Sequence, residues 1–272
     1  MEIIKAIIIG IVQGLTEFLP VSSSAHLVLS EEILSFNIGG LLFEVAVHFG
    51  TLLAVVIYFR EEVLNMIKAP FHLHHVFSSV KDPQRKWDKY IIFDLFIIIG
   101  TIPAVIVGLT LKDQVEKAFN SPFIALCALM ITGIMLLSFR FIKEQDKTFT
   151  GGKAFFIGIA QAFAIIPGIS RSGSTIMTGI WLGLNRETAA KFSFLLSVPA
   201  ILGATILEGR GLLSADISSN ELILISVATL ASFISGYFAI AFLIDIIKKN
   251  KLDYFGYYCM AVSVIGLIIL FI

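Results

Sequence analysis

The sequence predicts an all-α integral membrane protein, and three observations carry that reading. Of its 272 residues, 57% are hydrophobic and only 15% charged, against about 45–50% apolar and about 25% charged in soluble domains. Six apolar runs approach or exceed the roughly 20 residues that cross a bilayer core. Two further apolar runs break at a proline followed by a serine-rich, glycine-bearing turn and then resume. Twenty Lys and Arg against twenty Asp and Glu leave no net charge, which removes the case for nucleic-acid binding.

The first broken run is Ile3–Leu19, closed by Pro20 and resumed around Leu27–Leu29. The first twelve residues read as structure and not as a secretory leader, because Gln13–Pro20 follows where a small-residue cleavage site would stand. Spans are then expected at Leu42–Phe59, Tyr90–Leu111 and Pro122–Ile142. The second broken run is Phe155–Ile166, closed by Pro167 and resumed at Ile176–Leu184, and spans follow at Phe192–Leu207, Glu221–Ile246 and Tyr257–Ile272. A helix that enters, breaks and returns is a re-entrant hairpin, tolerated at depth where protein or a water-filled cavity surrounds it. The expected architecture is thus six transmembrane helices plus two re-entrant hairpins.

Fifteen Lys and Arg fall in the loops 60–89, 140–153, 185–191 and 248–251, and four (Lys5, Lys112, Lys117, Arg210) on the other side. That positive-inside bias puts both termini outside the cytoplasm. Ile9-Gly-Ile-Val-Gln13 and Ile157-Gly-Ile-Ala-Gln161 match at four of five positions, with Pro20 and Pro167 following and Ser23 and Ser170 three residues beyond. Each half, about 1–145 and 146–272, then holds one hairpin and three spans. Three crossings repeated in tandem form an inverted-topology repeat.

Ionisable groups inside a membrane are functional candidates by default. Asp94 and Asp245 lie near cytoplasmic helix ends, within reach of water. Glu17, His26 and Arg171 sit on the broken hairpins. Gln13 and Glu17 share a helical face, and Ser22, Ser23 and Ser24 suit the start of the returning half-helix. Ser170, Arg171, Ser172 and Thr175 repeat that logic with a cation added. A half-helix N-terminus attracts an anion, and an arginine fork matches phosphate. Glu44 and His48, four apart on one span, either line the same cavity or pair with each other. The run His72-Leu-His74-His75 lacks a neighbouring Cys or carboxylate at ligand spacing and reads as a membrane-surface loop, not a metal site. Cys127 and Cys259 both lie in apolar runs and form no disulfide framework.

Gln13-Gly-Leu-Thr-Glu-Phe-Leu-Pro-Val-Ser-Ser-Ser-Ala-His26 and Pro167-Gly-Ile-Ser-Arg-Ser-Gly-Ser-Thr175 resemble the two signatures of undecaprenyl-diphosphate phosphatases, the bacitracin-resistance family of membrane phosphatases. Residues 43–51 and 192–199 extend that similarity across nearly the whole chain. The family's first signature takes Glu or Gln at its first position; with Gln13 here, Glu17 remains as the acid. The resemblance implies removal of the terminal phosphate from a C55 isoprenyl diphosphate, giving the carrier lipid for cell-wall glycan assembly. It also implies a divalent cation (Mg²⁺ or Ca²⁺) and, in a bacterial plasma membrane, a site opening on the extracytoplasmic side. Implied partners are the lipid diphosphate and the bilayer, with a homodimer admitted.

Within that frame Arg171, with Ser22, Ser170, Ser172 and Thr175, is expected to cradle the phosphates. Ser23 is the expected nucleophile, Glu17 the metal ligand or base, and His26 the proton handler or a rival nucleophile. The competing class is a transporter or flippase of a lipid-linked phosphate, which needs the anion site but no nucleophile.

Overall fold

A computed structural model of the chain describes residues 1–36, 40–71, 86–111, 114, 117–118, 121–209 and 218–271. Every regular element among them is helical. The first half contributes α1 (Glu2–Phe18), α2 (Ser23–Leu34), α3 (Gly40–Tyr58), α4 (Arg60–Lys68), α5 (Lys86–Thr110) and α6 (Pro122–Leu137), which runs on as a 3₁₀ turn, Ser138–Phe141. The second contributes α7 (Gly151–Phe163), α8 (Arg171–Trp181), α9 (Arg186–Gly209), α10 (Ser219–Lys248) and α11 (Asp253–Phe271).

Five stretches are long and apolar enough to cross a membrane: Trp87–Thr110, Pro122–Phe141, Arg186–Leu207, Ser219–Lys248 and Asp253–Phe271. Leu42–Tyr58 qualifies only together with the stretch beginning at Arg60, into which it bends by 82°, so the pair makes a sixth span where it is counted as one. Five of the six expected spans stand on their own, and the bent pair corresponds to the remaining one; the chain is an all-α, multi-pass integral membrane protein. Expectations for His72, His74 and His75, and for Lys112 and Arg210, lie outside the described residues.

The helix starts follow local chemistry. Ser121 accepts a hydrogen bond from the Ile124 N–H, with Pro122 opening α6, and Ser218 and Glu221 form a capping box at the start of α10. Asn185 Oδ1 accepts from the Thr188 N–H at 2.8 Å and sets the entry to α9.

Helix contacts rest on small residues, as expected where lipid provides no hydrophobic drive between helices. The matched pentapeptides show it best. Ala6, Ile9, Gly10, Gln13, Gly14 and Glu17 form the buried face of α1, and Ala154, Ile157, Gly158 and Gln161 that of α7. α1 packs on α10, where a Cβ at Gly10 would run into the Ala228 carbonyl; α7 packs on α5, where a Cβ at Gly158 would run into the Gly100 carbonyl. α6 and α11 pack on each other through Gly133 and Gly256. The first helix of each half therefore leans on the other half.

Two loose ends concern single residues. Asp245 pairs with Lys249 at 2.6 Å on the surface. Asp94 is half-buried, and its Oδ2 has no hydrogen-bond partner. Both cysteines are free, and buried Cys259 directs its thiol to the Pro20 carbonyl at 3.6 Å.

Candidate active site

Two short helical hairpins, α1–α2 and α7–α8, meet at their turns. Pro20 stops α1: the backbone turns extended at Leu19, and Ser22 takes the left-handed region at φ +68° before α2 begins. Left-handed backbone costs a non-glycine residue about 1–2 kcal/mol and persists where the surroundings impose it. In the other turn, Gly168 takes φ +94° and Ser170 caps α8, its Oγ accepting from the Gly173 N–H at 3.1 Å. The turns touch where Ser172 Oγ reaches the Leu19 carbonyl at 3.4 Å.

Glu17 is the hub, 8% exposed at the end of α1. Neighbouring Phe18 is fully buried edge-on against Phe194 of α9, ring centroids 5.8 Å apart, which sets the direction of that last helical turn. Glu17 Oε1 accepts from Arg171 Nη2 at 2.7 Å, and Oε2 accepts from Ser23 Oγ at 2.7 Å and from Gln13 Nε2 at 3.0 Å. Charge-assisted bonds of this length are among the strongest available to a side chain. Arg171 retains a buried Nη1 with no hydrogen-bond partner.

The matched serines of the two turns do not play matched roles. Ser170 precedes α8 and caps it, whereas Ser23 is already the first residue of α2. The residue that corresponds to Ser23 in position is Arg171, the first of α8. The first residues of the two returning helices thus converge on one carboxylate, one bringing a hydroxyl and the other a guanidinium. In the second half Ile165 stands four residues after Gln161, where the first half has Glu17, so the hub is single.

The other expected residues lie nearby with their polar atoms already engaged. Ser22 is buried and faces Ser24, Oγ to Oγ 3.2 Å. Ser170 Oγ also lies 3.2 Å from Ser172 Oγ, and buried Thr175 donates to the Arg171 carbonyl at 2.8 Å and lies against Ser193. These hydroxyls bond within the two turns and the helix that follows the second, where a helix start leaves backbone groups to satisfy. His26 lies one turn along α2. Its Nδ1–H donates to the Ser22 carbonyl at 2.8 Å, so Nε2 is the acceptor facing the Tyr258 hydroxyl at 2.7 Å, with the rings stacked 5.6 Å apart.

His48 belongs to the cluster. Its Nδ1 bonds the Glu44 carbonyl at 2.8 Å, and its Nε2 stands 3.7 Å from Glu17 Oε2, within ion-pair reach when the imidazole is protonated. The i,i+4 spacing of Glu44 and His48 signalled a shared face, but only the packing shows that His48 faces Glu17. Tyr258, on the last helix, carried no signal in the sequence.

No group of three or more His, Cys, Asp or Glu suited to a metal occurs among the described residues. The site does carry hard oxygen donors: the Glu17 carboxylate and the buried Gln13 Oε1, which accepts no hydrogen bond. That set suits a cation of the Mg²⁺ or Ca²⁺ type completed by water and ligand phosphate, the usual arrangement for Mg²⁺.

Fold and site together define a class: an integral membrane protein with a carboxylate, a hydroxyl and a guanidinium gathered where two broken helices meet. The chain belongs to the family described as Bacitracin resistance protein BacA, whose model matches residues 6–265. It is 43% identical to an undecaprenyl-diphosphatase of Methanobrevibacter smithii, over 97% of this chain and 96% of that one. It is 42% identical to one of Carboxydothermus hydrogenoformans (99% and 98%) and 34% identical to undecaprenyl-diphosphatase 1 of Shouchella clausii (97% and 95%).

Proposed function

We propose that the protein is an undecaprenyl-diphosphate phosphatase, hydrolysing its lipid substrate to undecaprenyl phosphate and inorganic phosphate. Membership in the family and near-full-length similarity to proteins of that name support the reaction. The observation that carries the mechanism is the contact of Ser23 Oγ with Glu17 Oε2 at 2.7 Å beside Arg171.

In this reading Glu17 takes the Ser23 proton as Oγ attacks the terminal phosphorus. The bond from that phosphorus to the bridging oxygen breaks, and the monophosphate lipid leaves with the proton that Glu17 took, which restores the carboxylate. Water, activated by the same carboxylate, then hydrolyses the phosphoserine, freeing phosphate and restoring Ser23. Arg171 turns its unpartnered Nη1 to the phosphate oxygens and offsets charge on the transferring group. With the hydroxyls of Ser22, Ser170, Ser172 and Thr175 engaged in the turns, Arg171 bears most of the phosphate recognition. His26, one turn beyond Ser23, and His48, 3.7 Å from Glu17, remain as proton handlers. A divalent cation, held by Glu17 and Gln13 Oε1, supplies charge neutralisation to the diphosphate when bound. A lipid-phosphate transporter gains nothing from a hydroxyl set on a carboxylate, which disfavours that alternative.

The test is phosphate release by the purified protein in detergent. A C55 diphosphate should yield one phosphate per lipid, chelation should stop release, and Mg²⁺ or Ca²⁺ should restore it. Absence of release under these conditions refutes the assignment.

The two halves, about 1–145 and 146–272, are read as inverted copies in a plasma membrane, with re-entrant hairpins, external termini and an extracytoplasmic opening. Reciprocal packing of α1 on α10 and α7 on α5 supports this. After Cys127 and Cys259 are replaced by alanine, a cysteine at Lys147 should label only from the cytoplasm and one at Lys117 only from outside. Labelling of both from one face rules the arrangement out.

A further inference from the structure

Arg171 can meet Glu17 only if the turn 164–170 is held in place, and α7 ends at Phe163, too early to hold it. The hold comes from α6, in the other half of the chain. Thr132 is fully buried, and its Oγ1 lies 3.0 Å from both the Gly168 carbonyl and the Ser170 N–H, donating to the first and accepting from the second. The same oxygen lies 3.3 Å from the Ala128 carbonyl of its own helix. One side chain thus satisfies two buried backbone groups in the three residues before Arg171. The turn is seated flat on α6 at this point: a Cβ at Gly168, whose φ is +94°, would run into the Ala125 carbonyl.

We propose that Thr132 is a positioning residue for Arg171, pinning the turn so that the guanidinium reaches both Glu17 and the phosphate. The proposal rests on the reading of Arg171 as the phosphate-binding cation. Thr132 itself touches no reacting atom. Without its hydroxyl, the Gly168 carbonyl and the Ser170 N–H are buried unpaired, and the turn must move to find partners. Arg171 begins one residue beyond Ser170, so a shift there is carried to the end of a long side chain.

The test compares Thr132→Val (isosteric, no hydroxyl), Thr132→Ser (hydroxyl kept), Arg171→Lys, and the double variant Thr132→Val/Arg171→Lys. Phosphate release from the C55 diphosphate is measured in detergent, at enzyme concentrations that resolve Arg171→Lys turnover, with thermal unfolding followed on the same samples. Thr132→Val should lower kcat by about tenfold or more and Thr132→Ser by less than about threefold, with the double variant within about twofold of Arg171→Lys alone, since residues acting as a unit are not additive. Wild-type turnover in Thr132→Val, equal losses in the valine and serine variants, or a double variant slowed by the product of the single losses would overturn the proposal. If the valine variant does not fold, Thr132→Ala takes its place against the same thresholds. Near-normal turnover in Arg171→Lys alone refutes the phosphate-site reading instead, which keeps the two failures apart.

Discussion

Ser23→Ala should abolish phosphate release while the protein still binds the diphosphate lipid. Ser23 Oγ is the hydroxyl that lies on Glu17, at 2.7 Å, whereas Ser22 and Ser24 face each other. Removing Ser23 takes away the attacking oxygen but leaves Glu17 and its bond from Arg171 intact, so binding should survive chemistry. Ser22→Ala and Ser24→Ala should keep measurable turnover, at a local stability cost of about 0.5–2 kcal/mol of the kind seen when a helix start loses a hydroxyl. His26→Gln should be slow whichever proton His26 handles, so that variant does not distinguish acid, base and nucleophile. A trapped phosphoenzyme does: phosphate is expected on Ser23. Phosphate found on His26, or full activity in Ser23→Ala, would displace Ser23 from the mechanism.

Arg171→Lys should lower kcat/KM by on the order of a hundredfold or more while the protein stays folded. That is the scale on which loss of a preorganised donor is felt in the transition state. The substitution keeps the charge and with it the pairing to Glu17. What it removes is the planar fork that allows one nitrogen to hold Glu17 while Nη1, buried and unpartnered, turns to phosphate. A lysine ammonium is a point charge and cannot serve both partners with that geometry. Thermal unfolding and detergent extraction should match the wild type. Near-normal turnover would reduce Arg171 to a structural counterion of Glu17.

The spans were legible because bilayer physics leaves few choices. A 20-residue apolar run has to be a helix at depth, and Pro20 and Pro167, each leading into a serine-rich turn, marked the breaks, whereas Pro103 and Pro199 lie inside unbroken helices. Glu17 and Arg171 were legible for a related reason, the cost of placing a charge where lipid surrounds it. The hydrogen-bond partners of the phosphate-cradle hydroxyls were not legible. Ser170, Ser172 and Thr175 have the right chemistry for an anion; in the fold Ser170 and Thr175 bond the backbone of their own helix, and Ser172 bonds the Leu19 carbonyl of the other hairpin. Matching Ser23 to Ser170 by distance from proline also misled. The helix begins one residue later in the second turn, so Ser23 corresponds in position to Arg171.

By itself the sequence determined an all-α membrane protein, the positions of its apolar spans, two broken helices, and the carboxylate and cation of the candidate site. These follow from local rules: hydropathy, helix length, proline and the cost of a buried charge. Tertiary structure decided which of the expected residues meet. It set Ser23 and Arg171 on opposite oxygens of Glu17, brought His48 to 3.7 Å, put Tyr258 on His26 and clamped the second turn with Thr132. Four of those five contacts join residues more than twenty positions apart. No periodicity encodes them, because they depend on glycines such as Gly10 and Gly158 letting the first helix of each half settle into the other half.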